Sequence, residues 1–267
     1  MSKLLDAARS GRFRRLLFLL VGAALLVAGC LGPPGEDDLS LRHDYSYDLS
    51  VSVDWPVDDL VLRVPLPSVN GSSALGEAMA NGTGYGVRPG WTVAVIEANG
   101  TPLLELRAAR FLPGYRGTLI PIAPGEEAPP VTPAPPATGR SDATPVLVPY
   151  LLGARIAVDR SIETHEPAGR EPLLGGGPGL VSADCDLPGQ GAGVRCYRHP
   201  VDAFVDYRAG TPANVSVGVR LAGSNQWWRG GWTFNAYTDH ALVEFPDGER
   251  GWTRADAALS AGEGTYP

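Results

Sequence analysis

Lysine is all but missing from this chain of 267 residues, and Lys3 is the only one. A P-loop lysine, a Schiff base and a lysine general base are therefore excluded for everything downstream of it. Cysteine is nearly as scarce, with Cys30, Cys185 and Cys196 alone, and the four histidines, His43, His165, His199 and His240, fall at no metal-ligand spacing. Helical periodicity is absent over almost the whole length, and the one long apolar run falls short of the roughly 20 residues of a comfortable membrane span. Positive charge is also in deficit: 22 Lys and Arg stand against 29 Asp and Glu, a formal charge of −7. Such a surface repels phosphate backbones and anionic headgroups, which disfavours nucleic-acid binding and electrostatic docking on a membrane.

What basic charge there is gathers at the start. Lys3, Arg9, Arg12, Arg14 and Arg15 precede the uncharged residues 16–28, which end in Val27-Ala28-Gly29-Cys30. A positive start, a short apolar core and small residues before the cut are the parts of a secretory signal. The last four residues resemble the lipobox of bacterial and archaeal lipoproteins, which implies cleavage before Cys30 and a lipid on its sulfur. Residues 1–29 are thus expected to be a lipoprotein signal peptide and 30–42 a solvated tether, with the domain held on the extracellular face of the cell membrane. The alternative is an uncleaved N-terminal transmembrane anchor helix, since Gly29 to Gly32 extend the uncharged run to about the shortest spanning length. Arg14-Arg15-Leu16-Leu17-Phe18 fits a loose twin-arginine signal as well as a general secretory one. Five basic residues and one acid, Asp6, precede Cys30, so 17 of the 22 basic and 28 of the 29 acidic residues remain after cleavage, a charge of −11.

Outside the cytoplasm the other two cysteines are expected to form a disulfide, Cys185 to Cys196, closing a turn-rich loop. In the chain-entropy picture so short a loop is worth roughly 3 kcal/mol. The six asparagines include four in Asn-x-Ser/Thr sequons, Asn70, Asn81, Asn99 and Asn214, where 15 Ser and 13 Thr in 267 residues give about 0.6 by chance. Hairpin chemistry offers a second account of the first three, because each is followed by glycine. Asn214 is read as an outward strand position that turn chemistry does not explain, and Pro102 after Thr101 hinders modification of Asn99. N-glycosylation together with a lipobox points to an archaeal surface.

Strict alternation of apolar and polar residues recurs along the chain and marks half-buried strands. Tyr45, Tyr47, Leu49, Val51, Val53 and Trp55 fall on one face. Leu60, Leu62, Val64 and Leu66 repeat the pattern with Pro65 outward, which predicts an edge strand or a bulge. Val201, Ala203, Val205 and Tyr207 form a third set, and Val215, Val217, Val219 and Leu221 a fourth. Further strands are expected over residues 91–98, 102–110, 151–161, 227–228, 232–237, 241–245 and 251–257. Residues 74–80 alone read as a helix, ended by Asn81-Gly82. Many short strands with 34 glycines and 25 prolines predict an all-β protein, an antiparallel β-sandwich over residues 43–267. Residues 121–145 carry eight prolines and are expected to leave that body as an extended excursion, or to divide it in two.

For contact with a ligand the candidates are Trp227, Trp228, Arg229, Trp232 and Tyr237, a hairpin whose turn is Arg229-Gly230-Gly231. Core packing of aromatic cross-strand pairs is the competing account. Glu163-Thr164-His165-Glu166 and Asp239-His240 read as surface loops, Asp184 and Asp186 as a weak calcium pair, and no nucleophile elbow or phosphate cradle is spelled out. Several stretches, Leu62-Arg63-Val64-Pro65-Leu66-Pro67, Ala74-Leu75-Gly76-Glu77-Ala78, Gly90-Trp91, Pro102-Leu103-Leu104, the run from Gly231 to Asp239, Gly251-Trp252 and Gly262-Glu263-Gly264-Thr265-Tyr266, resemble landmarks of uncharacterised exported lipoproteins of methanogenic archaea. That resemblance implies an archaeal surface setting and carries no activity, catalytic residue or cofactor with it. The expectation is a lipid-anchored, N-glycosylated surface protein with a structural or binding role, its partner a glycan or an envelope protein. The alternative is an extracellular carbohydrate-active hydrolase or carbohydrate-binding module that uses the aromatic hairpin.

Overall fold

The computed structural model describes residues 41–116, 146–177, 179–185 and 193–266. The expected signal peptide, Cys30, nearly all of the tether and the Pro-rich segment 121–145 lie outside the described residues. Residues 42–226 with 233–267 form one compact unit, and the hairpin tip Trp227–Trp232 falls outside it.

Alternation becomes strand almost everywhere it occurs. The elements are β1 (Arg42–Val53), β2 (Val57–Pro65), β3 (Pro67–Ser68), α1 (Ala74–Ala80), β4 (Trp91–Ala98), β5 (Thr101–Phe111), β6 (Tyr115–Arg116), β7 (Val146–Leu147), β8 (Tyr150–Ala157), β9 (Leu173–Leu174), β10 (Val181–Ala183), β11 (Arg195–Arg208), β12 (Val215–Trp228), β13 (Trp232–Phe245) and β14 (Gly251–Gly264). The main sheet runs β4-β5-β2-β11-β14-β13-β12-β1-β8, with β10 added to β11. Its pairings β1–β8, β1–β12, β2–β5, β2–β11, β4–β5, β11–β14 and β13–β14 are all antiparallel. Strands from both sides of the Pro-rich segment, β5 and β8, belong to this one sheet.

The sheet curls until its ends meet. Helix α1 packs on both end strands, β4 and β8. Trp91 of β4, Phe111 of β5 and Tyr150 of β8 come together with ring centroids 4.9 to 5.6 Å apart. Closure of this kind hides edges that would otherwise template pairing with another chain. The ladder is therefore one continuous antiparallel path curled on itself. Ser73 starts α1 by accepting the Gly76 N–H at 3.1 Å, the satisfied-donor logic of an N-cap. Leu75, Gly76 and Met79 are the buried face of the helix.

Inside the curl, the period of two sends Tyr45, Tyr47, Leu49, Val51 and Val53 of β1 against the inward rows of β2, β11, β12 and β13. Gly223 makes room for the buried Tyr237 ring of β13: a Cβ there would stand 2.4 Å from Tyr237 Cε1. The open end is plugged by the loop after β8, where Ile162, Leu173 and Leu174 are buried and the Gly175 N–H donates to the Leu66 carbonyl at 3.0 Å.

Four expectations change. Trp55 is 54% exposed, because β1 ends at Val53 and the chain bends before it. Pro65 is buried and its strand is internal, between β5 and β11; it is tolerated because it lies past the last β11 pair, Phe204 with Arg63. Asp239-His240 is no loop but the middle of β13, which joins the two segments expected at 232–237 and 241–245. Asn214 precedes β12 rather than lying on it.

Candidate functional site

The loop that plugs the curl is held by charge. Glu171 is buried, and its carboxylate accepts from Arg160 Nη1 and Nη2 at 2.7 and 2.6 Å, from the Glu163 N–H at 2.7 Å and from the Tyr45 hydroxyl. Burial alone would raise this carboxyl, but the Arg160, Tyr45 and Glu163 hydrogen bonds outweigh it and hold Glu171 below its ordinary value. Burial first, then Glu171, pushes the Tyr45 phenol up. Such a carboxylate has its lone pairs committed and is built to anchor rather than to transfer a proton.

Beside it runs a second polar set. Asn225 Oδ1 accepts the Ile162 N–H at 2.8 Å and lies 2.7 Å from His43 Nδ1, while Asn225 Nδ2 donates to the Ile162 carbonyl and to Asn235 Oδ1. Residues 163–166 form the loop expected there, with His165 and Glu166 exposed, but Thr164 is buried; it donates to Asn235 Oδ1 at 3.1 Å and shares a hydrogen bond with Tyr266. His165 stacks on the Tyr266 ring, centroids 3.7 Å apart.

The third set lies deepest. Asp239 Oδ1 and Oδ2 are 3.0 and 3.1 Å from His199 Nε2, and Oδ2 also accepts the Leu174 N–H at 2.9 Å. Both side chains are fully buried, and His199 Nδ1 has no hydrogen-bond partner among the described residues. They meet because β14, between their strands, presents Ala257 opposite His199, a side chain short enough to leave the space open. A strand reading carried through residues 232–245 puts Asp239 in the inward row with Tyr237, Ala241, Val243 and Phe245, and a buried carboxylate needs a partner. Breaking the strand at 238–240 hid that signal.

The residues expected from sequence are placed as follows. Cys185, two residues past β10, and Cys196 of β11 form the disulfide, with Cα atoms 5.3 Å apart. All four sequon asparagines are exposed. Asn70 and Asn99 take positive φ, both 52°, each followed by a glycine at positive φ, Gly71 and Gly100, the hairpin chemistry expected of Asn-Gly. Asn81 caps the end of α1. The side chain of Asn214 is at work: Nδ2 donates to Asp54 Oδ2 at 2.6 Å and Oδ1 accepts the Asp247 N–H at 2.8 Å. Trp228 and Trp232 are about half exposed and meet edge to face at 5.7 Å, with Arg229-Gly230-Gly231 as the turn between strands. Tyr237 is wholly buried in the main unit, with its hydroxyl on the Pro172 carbonyl, and does not join an aromatic surface. Asp186 lies outside the described residues. Among the described residues no three His, Cys, Asp or Glu side chains gather as metal ligands. No protein-family model, no curated protein and no solved structure matches the chain.

Proposed function

We propose that this chain is a lipid-anchored, N-glycosylated protein of an archaeal cell surface, with a structural or partner-binding role. The observation that carries the reading is the basic, apolar and small-residue sequence ending in Val27-Ala28-Gly29-Cys30. Exposure of Asn70, Asn81 and Asn99 supports it, because a glycan needs a reachable side-chain amide. So does the disulfide, which belongs to an oxidising compartment. The buried carboxylates of the curl serve as anchors for the plugging loop, consistent with a scaffold. The same reading takes the two halves of the curled sheet as opposed layers of a sandwich. An acidic domain of charge −11 has no electrostatic hold on an anionic bilayer, so the anchor carries all of the attachment. In membrane fractionation, a Cys30→Ser variant is expected to move from the membrane pellet to the soluble or released fraction; retention as tight as wild type contradicts the lipid anchor.

A second reading is carbohydrate binding at the hairpin tip. The half-exposed indoles of Trp228 and Trp232 favour it, since exposed aromatic faces hold sugar rings and partner side chains alike.

A further inference from the structure

The outer face of the main sheet carries its own aromatic and charged row. Trp252 points outward from β14 and is 50% exposed. Its ring leans on Phe204 of β11 at 5.3 Å, and the Arg63 guanidinium of β2 lies 4.8 Å from the Phe204 centroid. One rung along, Arg254 grips Asp202 with two hydrogen bonds, 2.7 and 2.9 Å. Arg63 and Arg107 both bind Glu105, at 2.9 and 2.6 Å. Trp252, Asp202 and Arg254 line a cavity of about 320 Å³ together with Asn99, Thr101 and Pro65. A second cavity of about 320 Å³, lined by Ser68, Asn70, Gly100 and Glu171, shares Thr101 and Gly175 with the first.

We infer that the Trp252 cavity is a binding subsite for one ring of a neutral oligosaccharide. Each volume sits at the small end of ligand sites, about 300 Å³, and two that share a wall fit consecutive rings of a chain better than one large planar molecule. An indole half in solvent beside the cavity offers a flat face to the C–H side of a sugar ring. The charges at the cavity are already paired. Asp202 and Arg254 neutralise each other, so an anionic ligand gains no free cation, whereas a hydroxyl both donates and accepts. Two of the five guanidinium donors are used in that pair, leaving donors on Arg254 and lone pairs on Asp202 to meet hydroxyls. Asn99 adds an amide on the same rim. Because Asn99 is also a sequon, the sugar has two sources, a saccharide from outside or the chain's own glycan.

The test is saturation-transfer NMR with maltotriose, mannotriose and chitotriose at millimolar concentration, on protein made without glycosylation. At least one trisaccharide is expected to bind, Trp252→Ala to weaken it about tenfold or more, and Trp55→Ala, an exposed indole that does not line the cavity, to bind like wild type. Binding of none of the three to wild type overturns the inference, and so does an unchanged affinity in Trp252→Ala. Should circular dichroism show Trp252→Ala unfolded, Asp202→Asn takes its place, with weakened binding expected and unchanged binding contradictory. For the source, natively produced wild type is compared with the same protein after enzymatic removal of its N-glycans: binding gained on deglycosylation assigns the cavity to the chain's own glycan, and equal binding assigns it to an external saccharide. Neither export nor Cys30 enters, so failure here leaves the anchoring proposal standing.

Discussion

Glu171 carries four hydrogen bonds in nearly dry surroundings, and taking its charge away leaves the Arg160 guanidinium unanswered. Glu171→Gln is expected to lower unfolding stability by about 2–3 kcal/mol, less than a fully buried pair because Arg160 is half exposed. The pH dependence follows from the direction of its shift. The folded-state value lies below the 4.5 of a free carboxyl, so the unfolded chain takes up the proton first. The stabilisation is complete above the unfolded value and is lost as pH falls through the folded one. Urea midpoints of wild type and Glu171→Gln should therefore differ at neutral pH and converge in acid; a gap that persists in acid contradicts the ion-pair account. Residue-scale features of this kind were barely legible in the sequence. Arg160 falls at the end of the strand expected over 151–161, which stops at Ala157; Glu171 sits in a stretch with no periodicity, and their meeting with Tyr45 depends on a loop crossing the end of the sheet. Trp252 and Asp202 were visible only as members of strand patterns, since what makes a cavity beside them is the neighbouring β4–β5 turn and the Gly175 turn.

At the scale of elements the sequence is more legible, because period-two alternation is a local signal and needs no knowledge of partners. Residues 91–98 and 74–80 form the strand and helix expected at those bounds. Asn99-Gly100 makes the turn that joins β4 to β5, as Asn-Gly chemistry requires. The misses have local causes: Trp55 continued the parity of β1 after the strand had ended, and Asp239 interrupted an apolar row that the fold nonetheless uses. Strand β10 is three residues long and exposed along most of its length, so its hold on β11 owes much to the Cys185–Cys196 bond. Replacing both cysteines by serine is expected to lower unfolding stability by about 2–3 kcal/mol, in keeping with a separation of 11 residues. Calorimetry checks this, and a midpoint unmoved by reduction contradicts it.

For the whole molecule, the all-β antiparallel class was legible from composition and turn density, while the curl was not. Closure depends on α1 lying across β4 and β8 and on Trp91, Phe111 and Tyr150 meeting from three strands, contacts that no single stretch of sequence announces. The proposed address and anchoring stand the other way round, resting on the first thirty residues of sequence and not on the fold. Intact mass spectrometry of the protein purified from its native cells, followed by peptide mapping, joins these levels most directly. The account predicts a chain beginning at Cys30 with lipid mass on that residue, and sugar increments on Asn70 or Asn81 ahead of Asn214, whose amide is held by Asp54. A chain that retains residues 1–29, or begins at Cys30 with neither lipid nor sugar mass, contradicts it.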